Sequence, residues 1–436
     1  MQNLISTPYW WEAAPPRRLG NTPPAKTDVV IVGGGFTGLN AAITLRRAGV
    51  SVVVLEAEAF GFGASGRNAG HVSSGVNLGK SAASSNVRSP LEGRLPPGVY
   101  DALKAEAAAS FDHIEALMPQ LPRDAEYRRS GRVVCAALPA HYTAMQAKSG
   151  KMTRDGAHLY PKDQQRLVIG TDLYHGVMTI DRAGQLHPGK YVQGLVDLAV
   201  STGAVLCDNH RVSGISRTGT GTGTGWRVAA GNARVDCEKV FIATNGYSDT
   251  LRPWMRRRVI PAASYIVVTD ELPDGVIDEL LPHGRTAVDS KRLLSYYRPT
   301  PDRKRILFGG RASLQERPAQ EVASELAARL YAVFPQITGL PIRYAWSGKI
   351  AFTFDLLPHL GEHEGIVHAL GCNGSGVAMQ SYLGHMAGQA MSGGPKSAFW
   401  NLDFPTVPFY RETPWFLPAV TGWYRFRDAV ERTTGL

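Results

Sequence analysis

The chain has 436 residues, 44% of them hydrophobic and 19% charged, with a formal net charge of +10. That length exceeds one compact core and predicts two to three domains of about 100 to 200 residues, while the composition excludes a disordered chain or a fibre. No apolar run reaches the ~18 residues of a membrane span and no charged, apolar leader opens the chain, so the expectation is a cytoplasmic protein. The basic clusters are short, Arg256-Arg257-Arg258 and Arg303-Lys304-Arg305, and lie in no nucleic-acid-binding module. They predict a solvated face and no nucleic-acid partner. Cys135, Cys207, Cys237 and Cys372 have neither CxxC spacing nor paired histidines, which predicts reduced thiols and no metal site.

The first two dozen residues, with Tyr9-Trp10-Trp11, Pro15-Pro16 and Pro23-Pro24, read as an extended arm whose aromatics pack on the body. Asp28 to Glu56 then reads as strand, glycine turn, helix and strand ending in an acid. Gly61 to Gly79 is dense in glycine and serine. Val99 to Leu117 has helical spacing, Tyr127 to Leu138 is strand-like, Leu186 to Val200 is helical, and Gly203 to Cys207 is a short strand. Val212–Ile215, Trp226–Ala229 and Val235–Ala243 predict a three-stranded meander, its first two strands joined by the Thr-Gly repeat from Thr218 to Gly225 as a surface loop. A second strand-rich region, Ile260 to Gly310, is closed by a helix from Glu321 to Phe334. The last third returns to glycine-punctuated strands, with a helix opening at Gly374-Ser375-Gly376 and running to about Met391.

The chemistry is concentrated in four segments. In Gly33-Gly34-Gly35-Phe36-Thr37-Gly38, Gly33 permits the turn, Gly35 lets backbone approach a pyrophosphate, and Gly38 lets helix pack on strand. The helix N-terminus favours phosphate, and Glu56, followed by Ala57, stands where a carboxylate meets ribose hydroxyls. This unit predicts an adenosine dinucleotide. Gly63-Ala64-Ser65-Gly66-Arg67-Asn68-Ala69-Gly70-His71 adds small residues and a cation suited to phosphate. Ala243-Thr244-Asn245-Gly246 ends a strand, and Asn373-Gly374-Ser375-Gly376-Val377 forms a second strand-to-helix turn. A second distant turn suits a flavin, whose reduced ring carries negative charge at its far end.

Together these segments, with Arg305 to Ala312, Trp346 to Pro358 and the ending Trp423 to Asp428, resemble the D-amino-acid oxidase superfamily of FAD-dependent oxidoreductases, and within it the gamma-glutamylputrescine oxidase branch, over nearly the whole chain. The resemblance implies an α/β fold, a doubly wound, Rossmann-like FAD-binding domain with a second α+β domain built on a large mixed sheet. Residues 28–80, 181–250 and 340–395 would form the first and 81–180 and 251–339 the second, between an arm (1–27) and a tail (396–436). It implies that Gly33, Gly34, Gly35, Phe36, Thr37, Gly38, Glu56, Ala57 and Val212 hold the ADP half of FAD. Gly63 to Ser65, Arg67 to His71, Ala243 to Gly246, Trp346, Gly348, Lys349 and Asn373 to Val377 would follow the pyrophosphate and ring.

Relatives tether FAD through a cysteine in the segment that here reads Gly348-Lys349-Ile350-Ala351-Phe352-Thr353; its absence implies noncovalent FAD. They also use a ring-side lysine with oxygen where Leu307 stands here, so O2 or another electron acceptor remains open. Ser375 replaces a frequent histidine. The implied reaction is oxidation of the C–N bond of a small amine by hydride transfer to flavin N5, giving an imine that hydrolyses. His71 and Lys349 are the catalytic candidates, and Tyr265, Tyr296, Tyr297 and Arg298 a candidate aromatic wall with a cation for a substrate carboxylate. The alternatives are an amino-acid or hydroxy-acid dehydrogenase of the same fold, or a flavin-binding subunit without turnover.

Overall fold

The computed structural model describes residues 4–73, 95–150, 152, 155–218, 225–311, 314, 316–411 and 414–434. The interior of the Thr-Gly repeat, 219–224, the end of the glycine-rich stretch, 74–79, and Ala312 lie outside the described residues. In chain order the elements are α1 (Trp10–Ala13), β1 (Lys26–Val32), α2 (Phe36–Arg47), β2 (Val52–Leu55), β3 (His71–Ser73), α3 (Val99–Leu117), β4 (Arg132–Cys135), α4 (Pro139–Ser149), β5 (Ala157–Tyr160), β6 (Val177–Ile180) and β7 (Ala183–Gln185). There follow α5 (Pro188–Ser201), β8 (Val205–Cys207), β9 (Val212–Thr218), β10 (Gly225–Ala230), β11 (Ala233–Ile242), α6 (Pro253–Arg256), β12 (Ile260–Thr269), α7 (Val276–Leu280), β13 (Thr286–Asp289), β14 (Ser295–Pro299) and β15 (Ile306–Gly310). The chain closes with α8 (Ala319–Val333), β16 (Ile342–Phe352), β17 (His359–His363), β18 (Ile366–Leu370), α9 (Gly376–Met391) and α10 (Leu417–Thr434).

Among the described residues the strands form two eight-stranded sheets and a two-stranded ribbon, β3 with β7. The first sheet runs β17-β18-β11-β1-β2-β8, with β10 and β9 extending from β11. Its central strands are apolar on both faces because both are covered: Val29, Val30 and Ile31 are at most 1% exposed. The expected meander exists, and β11 is its third strand, Ala233–Ile242 where Val235–Ala243 was expected. It leaves its antiparallel partner β10 and runs on beside β1 in parallel, Val30 opposite Val240, which delivers Ala243 to the glycine turn.

The second sheet runs β16-β12-β15-β14-β13-β4-β6-β5. β16, expected with the nucleotide domain, pairs instead with β12 along its length, from Ile260 opposite Phe352 to Thr269 opposite Ile342. Of the strand expected over Tyr127 to Leu138, Arg132–Cys135 forms β4 and Arg128 makes an isolated bridge to Gln185, while Pro139, at the first position of α4, stops the strand at its far end. The arm is not wholly extended either. Trp10, in the single turn α1, is fully buried.

Helices α2 and α9 pack closely at two glycines of α9. A Cβ on Gly384 would lie 2.1 Å from the Thr37 carbonyl oxygen, and one on Gly388 2.7 Å from Thr44 Cβ. Thr37 Oγ1 donates to Gln380 Oε1 at 3.0 Å, tying the first turns of the two helices together. The tail helix α10 docks through Leu417 and an Arg292–Asp428 ion pair of 3.3 Å.

Several histidines are folded in the neutral form. Burial, with the Lys190 charge next, lowers His187 to about 3; burial, then His359, lowers His368 to about 3; and burial, then His385, lowers His113 to about 4. The unfolded chain therefore takes up protons below pH ~6.5 that the folded chain refuses. These groups leave stability unchanged above that pH, and each removes up to about 1.4 kcal/mol per pH unit between its unfolded and folded pKa. Urea midpoints should accordingly fall from pH 7.5 to pH 5; an equal midpoint at the two values would contradict neutral burial.

Candidate active site

A cavity of about 990 Å³ is lined from both large sheets. Of the cofactor residues named from sequence, all but Gly38, Gly70 and Trp346 line it. Four segments that are remote in sequence therefore share one space.

At the first turn Gly33 has φ +105°, and a Cβ on it would lie 3.0 Å from the Ala243 carbonyl oxygen. A Cβ on Gly35 would meet Ser65 Oγ at 2.8 Å, the atom that accepts from the Phe36 N–H at 3.1 Å. Gly38 lies beneath the turn rather than on the cavity. Its missing Cβ would stand 1.9 Å from the Gly33 oxygen, so it sets the distance from helix to strand. The Glu56 carboxylate faces the cavity and accepts from the N–H groups of Gly34, 2.8 Å, and Glu58, 3.0 Å; burial outweighs these bonds and raises its pKa. The second turn is built on asparagines in left-handed backbone, Asn245 (φ 45°) and Asn373 (φ 47°). Asn245 Oδ1 accepts from the Gly371 N–H at 3.0 Å and Asn373 Oδ1 from the Thr353 N–H at 3.0 Å, joining the third and fourth segments.

The second segment is held by its carbonyls. Trp346 Nε1 donates to Arg67 O at 2.8 Å, Trp10 Nε1 to Asn68 O at 2.8 Å, and Arg298 to Ala69 O at 3.2 Å. Trp346 is thus 1% exposed behind the cavity wall, a support instead of the lining residue expected. Gly70 (φ +71°) is likewise behind the wall, where a Cβ would lie 2.1 Å from Leu186 O. The Arg67 guanidinium lies against the paired rings of Trp11 and Phe62, 4.7 Å from each, and bonds to Phe62 O at 2.6 Å.

The substrate residues need correction, and strand parity gives the reason. Alternate residues of a strand face opposite sides of its sheet. Ser264 and Ile266 of β12 and Tyr296 of β14 face the cavity, so Tyr265 and Tyr297 face the core behind it. Tyr265 Oη accepts from the Arg317 N–H at 2.7 Å, and Tyr297 Oη donates to Tyr174 Oη at 3.0 Å. Arg298 has the parity of Tyr296 but is 2% exposed, covered by Trp10 and by the Ala69 and Leu186 carbonyls it bonds; burial lowers its pKa to about 9. None of the three lines the cavity. Sequence reasoning missed Arg132, Ser264 and Arg311, which do. Their one signal is that parity, which becomes usable only once the registers of β4, β12 and β15 are known.

His71 lines the cavity with its ring 5.8 Å from that of Tyr296. Burial, then the charges of Arg132 and Arg298, hold its pKa well below 6.5, and its buried Nε2 has no hydrogen-bond partner. The imidazole is neutral at physiological pH. Lys349 also lines the cavity, but it is 40% exposed and its ammonium pairs with Glu316 at 3.4 Å. Leu307 is fully buried against Trp10, Ile266 and Trp346, outside the lining. Among the described residues no group of three or more His, Cys, Asp or Glu is placed to hold a metal ion, and no helix is long and apolar enough to cross a membrane.

Residues 28–390 match the model of the family described as FAD dependent oxidoreductase, and the chain belongs to that family. FAD is its cofactor, and the glycine cradles, in which added Cβ atoms would collide, fit a dinucleotide lying against backbone. The chain is 28% identical over 392 residues to gamma-glutamylputrescine oxidoreductase of Escherichia coli (strain K12), covering 88% of this chain and 87% of that one. It is 29% identical over 446 residues to the probable oxidoreductase OrdL of Rhizobium meliloti (strain 1021), covering 98% and 99%. Among solved structures, glycine oxidase from Geobacillus kaustophilus superposes with a TM-score of 0.70 at 21% identity, over 89% of this chain and 99% of that one. L-proline dehydrogenase from P. horikoshii gives 0.67 at 18%, over 86% and 96%. At these identities the structural likeness is one of fold.

The Trp346 hydrogen bond is testable without any ligand. Trp346→Phe keeps the ring but strands a carbonyl, and should lower stability by about 1–3 kcal/mol, read from chemical denaturation. A change within ±0.5 kcal/mol would make the indole N–H dispensable.

Proposed function

We propose that this FAD-dependent oxidoreductase oxidises the C–N bond of a small primary or secondary amine, giving an imine that water hydrolyses to a carbonyl compound and an amine or ammonia. The observation that carries the reading is one cavity entered by two glycine turns and ending at a neutral imidazole with a free Nε2. The name of the E. coli relative supports an amine such as a gamma-glutamylated diamine.

Gly33 to Thr37 and Glu56 would hold the ADP half of FAD, the N–H groups at the start of α2 facing the phosphates. Asn373 to Val377, at the start of α9, would hold the opposite end, where helix N–H dipoles favour negative charge. The chemistry that FAD supplies when bound is acceptance, at N5, of the hydride leaving the carbon next to nitrogen. The protein's part is to bring that carbon close in fixed orientation and to keep the nitrogen unprotonated. His71, neutral and unpartnered at Nε2, is placed to accept a proton or hydrogen bond from the amine nitrogen. Tyr296, Ser264 and Ile266 form the wall against which the substrate rests. Lys349, paired with Glu316, serves as a rim cation rather than a base. The FAD is noncovalent, as no cysteine lies in residues 348–353, although Cys372 lines the cavity.

Anaerobic mixing with a panel of amines should bleach the flavin absorbance, and admission of air then separates an oxidase from a dehydrogenase. No bleaching by any amine sinks the proposal. His71→Asn should slow that bleaching roughly 100-fold while retaining flavin; an unchanged rate would remove His71 from the chemistry. Acid precipitation should leave all the yellow colour in the supernatant. A yellow pellet that Cys372→Ser turns white would instead establish a covalent bond.

A further inference from the structure

Two guanidiniums occupy the sheet end of the cavity, Arg132 on β4 and Arg311 directly after β15. Neither is given a carboxylate partner by the described residues. Arg132 Nε is buried without a hydrogen-bond partner, and the same is true of Nε2 on His71, whose imidazole feels the Arg132 charge. Arg311 lies over the Phe352 ring at 4.7 Å, with a terminal nitrogen 3.2 Å from where a Gly374 Cβ would be, and its charge acts on Tyr296. The Arg132 charge thus acts on His71 and the Arg311 charge on Tyr296, the two members of one ring pair.

The carboxylate nearby is engaged by a lysine. Asp289 lines the same end; its Oδ1 accepts from the Lys291 and Ser295 N–H groups, and its buried Oδ2, which has no hydrogen bond, lies 3.2 Å from Lys291 Nζ. Burying a cation without a counter-charge is costly, and a guanidinium is shaped to take a carboxylate through two parallel hydrogen bonds. A protonated diamine would add a third positive charge to this space. An anion at each guanidinium would neutralise it.

We propose that the substrate carries two carboxylates, one bound by Arg132 and one by Arg311, with the reactive C–N unit between them beside His71 and Tyr296. This rests on the C–N oxidation reading above but takes an amino dicarboxylate as substrate in place of the gamma-glutamylated diamine, which carries a single carboxylate. Monoamines and diamines without carboxylates are excluded as good ligands.

The test uses FAD-loaded enzyme and inert anions, so that binding is read from the shift in flavin absorbance and not from turnover. Saturated dicarboxylates from malonate to adipate are titrated against the monocarboxylate of the same carbon count, and against 1,4-diaminobutane. At the best length the dicarboxylate should bind about 30-fold more tightly than its monocarboxylate, and Arg132→Met or Arg311→Met should each abolish that difference. Arg132→Lys and Arg311→Lys should retain part of it, and they serve as the readout if a Met variant loses flavin or fails to fold. Equal affinities at every length, tighter binding of the diamine, or sensitivity to only one arginine would overturn the proposal. The amine reading is judged separately by anaerobic bleaching. Strong dicarboxylate binding with no bleaching by any amine would sink that reading and leave the two-anion site standing.

Discussion

Three consecutive carbonyls, those of Arg67, Asn68 and Ala69, are each captured by a large buried side chain from a distant part of the chain, Trp346, Trp10 and Arg298. A loop so rich in small residues has little of its own to hold a conformation, and a buried carbonyl without a partner costs about 1–3 kcal/mol. The cavity wall therefore depends on donors that are 2% exposed or less and that never touch the cavity. One comes from the arm, two from the second sheet. The wall, the arm and that sheet are in this way a single construction.

The electrostatics follow from the same geometry. Two helix N-termini, α2 and α9, are brought together by glycines that let their backbones touch at Thr37 and by the Thr37–Gln380 hydrogen bond. Both present partial positive charge to one space, which suits a ligand that is anionic at one end and becomes so at the other. On the second sheet, burial first and then the charges of Arg132 and Arg298 keep His71 neutral. A buried imidazole beside a guanidinium is held in its neutral form, since both burial and a neighbouring positive charge disfavour protonation.

Much of this was legible in the residues. The β1-α2-β2 unit, α3, the β9 to β11 strands and the strand-to-helix turn at Gly374 are each dictated by local pattern: apolar runs, 3.6-residue spacing and glycine where φ is positive. What failed is instructive. Pro139 ended a strand that hydrophobicity alone extended to Leu138, and β16 joined the second sheet because its partner β12 lies eighty residues earlier, outside any local window. The tyrosines on β12 and β14 were noticed, but without pairing registers nothing separates Tyr296 from Tyr265 or Tyr297.

The sequence by itself thus determined which segments line the cavity and to which family the chain is similar, because a glycine turn ahead of a helix is a constraint of neighbouring residues. Only the tertiary structure decided which polar side chains share the far end of the cavity. Two adjacent residues of a strand face opposite ways, and whether Arg298 or Arg311 lines the cavity depends on what distant segments cover: Trp10 and the Leu186 carbonyl close over the first, and leave the second at the cavity wall.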